Sequence, residues 1–156
     1  MIILGGGGHT AQMIRLTKQL GKQKYEYVIA SDDKLSKSKI KYKGRIFRII
    51  NPRRMQDKSL FKVILRFIPS TIQTLIMLAK SKSCIIITCG PAMCLHVCFL
   101  AKYLFRKKIV FIESWSRVYN KSISGKIAYK FADLFFVQWP EMLKKYPKAV
   151  YAGRLG

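Results

Sequence analysis

The chain opens Met1-Ile-Ile-Leu4, runs through four consecutive glycines, Gly5, Gly6, Gly7 and Gly8, and continues His9-Thr10 into an apolar-periodic segment ending at Leu20. That order predicts a short buried strand, a tight turn and an amphipathic helix. Glycine lets the backbone take positive φ and approach a ligand closely, and the helix behind it offers N–H groups without intrahelical partners. The donors and the positive helix end converge, so the turn is an anion cradle in the making. Four glycines in a row satisfy almost any spacing, however, and no Walker lysine follows, so neither the dinucleotide fingerprint nor a P-loop is specified. His9 adds a titratable group at the helix start, where it could act as a general base or simply bind a backbone carbonyl.

Downstream, strands are predicted at Tyr25–Ala30, Arg45–Ile50, Cys84–Thr88, Lys108–Glu113, Leu134–Val137 and Ala149–Tyr151. Between them lie a short lysine-rich helix or loop from Ser31 to Lys43 and a helical region over 57–81 broken near Pro69. Further helices are predicted from Pro91 to Phe105, from Ser122 to Phe131 and from Pro140 to Tyr146. Strands alternating with helices imply right-handed βαβ units and one α/β domain, a three-layer Rossmann-like parallel sheet. The near-continuous apolar strands agree with a sheet covered on both faces. Ligands of such sheets bind beyond the carboxyl ends of the strands, which singles out Gly5–Thr10, Ser31–Asp33, Cys89–Pro91 with Gly90 at its centre, and Glu113–Arg117.

Charge narrows the partners. Thirty Lys and Arg against seven Asp and Glu give a formal net of +23 over 156 residues, which suits nucleic acid, an anionic membrane face or a phosphorylated ligand. No stretch interleaves aromatics with basic residues in a single-strand-binding pattern, which disfavours nucleic acid. The four cysteines, Cys84, Cys89, Cys94 and Cys98, follow no zinc spacing, so neither metal nor disulfide is expected. No signal peptide is recognisable. The uncharged stretch Ser83–Ala101 is cut by Gly90-Pro91 and reads as a buried strand feeding a buried helix, not as a membrane span.

Two groups of residues could carry function. Glu113-Ser-Trp-Ser-Arg117 ends an apolar strand at the presumed cleft. There Arg117 could grip a phosphate, and Glu113 could bind sugar hydroxyls or orient a base. The two could instead pair with each other or cap neighbouring elements, but strand carboxyl ends in this fold face the site, which favours function. Arg54, Lys58, Lys62 and Arg66 recur every four residues, a basic stripe on a helix otherwise covered by Leu60, Phe61, Ile64, Leu65, Phe67 and Ile68. Such a helix could lie in a membrane interface or pack on the sheet with a basic solvent side.

Gly5–Thr10, Glu113-Ser-Trp-Ser-Arg117-Val, Ser122-Ile-Ser-Gly-Lys126, Phe136-Val-Gln-Trp-Pro140, Lys145-Tyr-Pro-Lys148 and Gly153-Arg-Leu155, in that order, resemble the membrane-recruiting subunits of the two-part N-acetylglucosaminyltransferase of asparagine-linked glycosylation and their bacterial polysaccharide-biosynthesis relatives. The likeness runs nearly end to end. It is most specific between Ile112 and Leu155 and vague between Ser31 and Ser81. It implies the amino-terminal, acceptor-side half of a GT-B glycosyltransferase, with no cofactor on this chain and the UDP-sugar held by a separate donor-binding subunit. The acceptor would be a lipid pyrophosphate-linked sugar at the cytosolic membrane face, with this chain attached peripherally. By the same likeness Gly5 to Gly8, Thr10, Gly90 and Arg117 would face the acceptor pyrophosphate, with His9 and Glu113 as catalytic candidates. Eukaryotic members carry an amino-terminal anchor, whereas this sequence opens at the first strand, so attachment is expected from surface helices and charge. The competing expectation is a basic Rossmann-like module that binds nucleic acid or membrane and has no catalytic role.

Overall fold

The computed structural model describes residues 1–52, 60–91 and 93–155, except for the side chains of residues 60–62. Seven strands, β1 (Ile2–Ile3), β2 (Tyr25–Ala30), β3 (Gly44–Ile49), β4 (Ile85–Thr88), β5 (Lys108–Ile112), β6 (Leu134–Val137) and β7 (Val150–Tyr151), form one sheet in the order β3-β2-β1-β4-β5-β6-β7. Every pairing is parallel. The helices are α1 (Gly7–Leu20), α2 (Leu60–Lys80), α3 (Cys94–Tyr103) and α4 (Ile123–Ala128), with 3-10 turns at Lys37–Lys39 and Pro140–Lys144. This is the Rossmann-like three-layer arrangement that the alternation of elements implies.

Period-two alternation sorts the strands' side chains between two cores. Ile3, Val28, Ile86, Ile109, Phe111, Phe135 and Val137 face one side, against Met77 and Leu78 of α2, Val97 and Cys98 of α3 and Ala128 of α4. Ile2, Leu4, Tyr27 and Ile29 face the other, against Met13 of α1. The second layer reaches Ile112 at the end of β5 and Phe136 of β6 but leaves the beginnings of β4 and β6 uncovered. On that face Ile85 is 49% and Leu134 39% exposed, although β4 and β6 are each paired on both edges.

Several local expectations change. The helix expected to break at Pro69 continues through it as part of a 21-residue α2. Proline forfeits one ladder hydrogen bond, and tertiary bonds just beyond it hold the helix. Ser70 Oγ donates to Ile50 O at 2.7 Å and Gln73 Oε1 accepts from Ile50 N–H at 2.9 Å. His96 Nε2 lies 3.2 Å from both Ser70 Oγ and Thr74 Oγ1, and burial lowers the pKa of this histidine to about 4. α3 starts at Cys94, not in the first turn after Pro91. The lysine-rich stretch after β2 folds into no more than a three-residue 3-10 turn, and Asp33 Oδ1 accepts from the N–H groups of Leu35 and Ser36.

The expected basic ridge is also revised. Arg54 and Lys58 lie outside the described residues, as does the side chain of Lys62. Arg66 is half-buried, while Ile64, Leu65, Ile68, Ile72 and Ile76 are each about half exposed. The outward stripe of α2 is therefore apolar. Its 18-residue segment Val63–Lys80 has a mean hydropathy of 1.4 and only 22% of it is buried, which makes it the one described helix long and apolar enough to cross a membrane. α2 nevertheless packs one side against α3 and β3.

Candidate functional site

The chain runs outward from β1 into α1 and β2, then crosses back through α2 to β4, so β1 and β4 flank the switch point of the sheet. Clefts of this fold open there. β1 extends to Leu4, whose N–H donates to Val28 O at 2.9 Å, and the glycine turn starts at once. Gly6 (φ 75°) and Gly7 (φ 51°) both occupy the left-handed region, which explains why the turn needs glycine. Gly5 is pressed against the Pro91 ring, where any Cβ would overlap it. The helix itself cannot satisfy the N–H groups of Gly7, Gly8 and His9 at its first turn.

Thr10 does not open to the cleft. Its side chain is buried, and Oγ1 accepts from Gly6 N–H at 3.0 Å and meets Ser36 Oγ at 2.7 Å. Ser36 Oγ in turn donates to Asp33 at 2.5 Å. Hydrogen bonds outweigh the opposing effect of burial on Asp33 and keep its carboxyl below the usual range. Thr10 thus braces the glycine turn against the loop after β2, and one of the turn's N–H groups is consumed in doing so.

His9 sits half-buried beside the end of β4. Its Nδ1 lies 3.4 Å from Cys89 Sγ, and that thiol donates to His9 O at 3.2 Å. Burial lowers the histidine below its ordinary 6.5; Cys89 and Glu113 oppose this and Arg117 reinforces it. The imidazole is therefore neutral near pH 7, the form that can accept a proton. Burial pushes the Cys89 thiol upward, so it is no thiolate. Gly90 follows with φ 87° and its N–H on Thr88 Oγ1 at 3.4 Å. Arg117 is exposed, and its guanidinium makes no hydrogen bond or ion pair among the described residues.

Glu113 departs from the catalytic expectation. It is 1% exposed, and its carboxylate accepts from Ser114 N–H at 3.0 Å, Ser122 N–H at 3.2 Å and the Tyr146 hydroxyl at 2.9 Å. A carboxylate held by three protein donors is a brace for the loop after β5, not a group free to take a substrate proton. Ser122 caps α4 by accepting from Gly125 N–H at 2.8 Å. Gly125 is glycine for want of space, since a Cβ there would lie on the Glu113 carboxylate and 2.7 Å from the Tyr146 hydroxyl.

A second brace runs beside the first. Gln12 Oε1 accepts from Gln138 Nε2 at 2.6 Å and from Trp115 N–H at 3.1 Å. Gln138 also donates to Glu113 O at 2.9 Å and accepts from Leu155 N–H at 2.8 Å. Residues from α1, the β5 loop, the end of β6 and the carboxyl-terminal strand extension are thereby locked together under the cleft. Sequence reasoning passed over Gln12, Gln138, Tyr146, Ser122 and Gly125 as individuals. Four of them lie inside the motif stretches quoted above, which was their signal, whereas Gln12 looks like any helix surface residue. Among the described residues no group of three His, Cys, Asp or Glu could hold a metal.

Fold and cleft together define a Rossmann-like α/β domain whose open site combines a glycine turn, a neutral histidine and an unpaired arginine. The family model described as "Oligosaccharide biosynthesis protein Alg14 like" matches residues 1–155. The UDP-N-acetylglucosamine transferase subunit alg14 of Schizosaccharomyces pombe is 34% identical, the match covering 98% of this chain and 81% of that protein. The subunits of the same name from Yarrowia lipolytica and Homo sapiens are 34% and 33% identical over 99% of this chain, covering 80% and 82% of their own lengths. The chain belongs to the Alg14 family.

Proposed function

We propose that this chain is the acceptor-side subunit of a heteromeric UDP-N-acetylglucosamine transferase, inactive alone and completed by a donor-binding partner at a membrane surface. The observation that carries the reading is the one-sided cleft. The glycine turn with its N–H groups, the unpaired Arg117 and the neutral His9 lie at the carboxyl ends of the strands beside the switch point of the sheet, and the relatives are named as transferase subunits. The turn and Arg117 take up the negative charge of a lipid-linked pyrophosphate. His9 accepts the proton of the acceptor hydroxyl as that oxygen bonds the sugar's anomeric carbon. The bond from that carbon to UDP breaks on the partner's side, where the nucleotide is held. Glu113, Tyr146, Gln12 and Gln138 keep the β5 loop in place.

Two surfaces suit the assembly. The uncovered part of the sheet face around Ile85 and Leu134 is where the partner supplies the missing layer, because sheets of this type bury both faces. The apolar stripe of α2 rests on the lipid interface, drawn there by the net charge of +23.

Co-expression with the donor-binding subunit, assayed for UDP-N-acetylglucosamine turnover on a polyprenyl-pyrophosphate sugar, tests the reading. Transfer is expected from the pair and from neither chain alone, and His9→Ala is expected to lower kcat about 100-fold or more while the partner still co-purifies. Full activity of His9→Ala removes His9 from the chemistry; turnover by this chain alone overturns the half-enzyme reading.

A further inference from the structure

The chain holds two tryptophans, and the structure uses them differently. Trp139 is partly buried against the core and spends its indole N–H on Trp115 O at 2.5 Å, with the Arg154 guanidinium stacked 4.6 Å over its ring. Trp115 is 47% exposed. It stacks on no other ring, and its indole N–H finds no acceptor among the described residues. Its backbone, by contrast, is pinned on both sides, by Gln12 Oε1 on the N–H and by Trp139 on the carbonyl. The turn that carries it is closed by Arg117 N–H on Ser114 O at 2.9 Å and by Ser114 and Ser116 hydroxyls 3.1 Å apart. A large apolar ring is thus displayed on a rigid base, at a cost in hydration that packing does not recover.

Its position says what it is for. Trp115 Nε1 lies 4.0 Å from where a Cβ on Gly8 would stand, so the N–H edge of the indole borders the glycine turn at the residue before His9, and the ring sits two residues from Arg117. One rim of the cleft therefore carries anion donors and, directly beside them, an exposed aromatic face with an unused N–H at its edge. Pyrophosphate needs only the first. A pyranose attached to that pyrophosphate presents a row of C–H groups on one ring face and hydroxyls around its edge. An aromatic face is electron-rich and packs against such C–H groups, while the indole N–H can donate to a ring hydroxyl.

We infer that Trp115 is the platform for the acceptor's sugar ring, a specificity-determining contact for a pyranose linked through pyrophosphate to lipid. The inference rests on the function proposed above and names the subsite for its substrate. Gln12 and Trp139 act through Trp115 and are positioning residues for it.

The test uses the reconstituted pair with a short-chain polyprenyl-pyrophosphate N-acetylglucosamine acceptor. Trp115→Ala is expected to raise the acceptor KM about tenfold while the KM for UDP-N-acetylglucosamine and kcat stay within about threefold, and Trp115→Phe is expected to recover most of the loss. The same acceptor should quench the pair's tryptophan fluorescence, and it should fail to do so in Trp115→Phe. An unchanged acceptor KM in Trp115→Ala, or quenching that survives in Trp115→Phe, overturns the platform while leaving the transferase reading intact. A wild-type pair that transfers nothing overturns the reading on which it rests. Loss of partner co-purification in Trp115→Ala, with Trp115→Phe unaffected in KM and quenching, assigns the ring to the interface instead and also overturns the platform.

Discussion

Glu113 shows how little a residue's type says about its task. It stands at the end of a strand beside a histidine and an arginine, as a catalytic acid would. Three donors nevertheless consume its carboxylate, and one of them, Tyr146, is held so tightly that burial and the Glu113 charge push its own hydroxyl's ionisation well above the ordinary 10. Glu113→Gln keeps the shape but turns one acceptor into a donor that faces a donor. The expected cost is about 1–3 kcal/mol, read as a melting temperature lowered by several degrees. A variant that melts like the wild type yet transfers no sugar would return Glu113 to the chemistry. The residues that hold the loop were visible in the sequence only as runs of motif letters. Nothing in Gln138 or Ser122 alone announces a buried hydrogen bond, because their partners lie 126 and 9 residues away.

At the scale of elements, α2 is the informative one. Its spacing of apolar and basic positions foretold a helix, but not which side would face the sheet. Packing against β3 and α3 turned Ser70, Thr74 and Met77 inward and left Ile64, Ile68, Ile72 and Ile76 outward. The helix is amphipathic, yet the side that packs is the one carrying Ser70, Gln73 and Thr74, whose hydrogen bonds to Ile50 and His96 fix it there, so the choice fell to tertiary contacts. Ile68→Ser/Ile72→Ser should leave the fold standing, since both side chains are already half exposed. It should weaken binding to vesicles containing anionic lipid by roughly tenfold or more, measured by sedimentation. Unaltered vesicle binding would detach α2 from the membrane.

For the whole molecule, the telling feature is a sheet that lacks part of one layer. Over β1–β3 both faces are covered, as α/β sheets require, yet around Ile85 and Leu134 one face is open. An exposed apolar sheet face on an otherwise packed domain marks a place for another chain. Leu134→Asp puts a charge at its centre without touching the cleft. It should abolish co-purification of the donor-binding subunit while the isolated chain keeps its melting temperature within a few degrees. A pair that still assembles would move the interface elsewhere.

The sequence by itself determined the class of fold. Strand and helix periods are local properties, and a strand entering a glycine run that opens a helix leaves few alternatives, so the sheet and the Gly5–His9 turn were both legible. The tertiary structure alone decided the rest: that Thr10 and Glu113 serve as braces, that Trp115 stands free beside the turn, and that α2 shows its isoleucines. Each of these depends on which distant groups meet, and burial, hydrogen-bond satisfaction and exposure exist only once the chain has closed on itself.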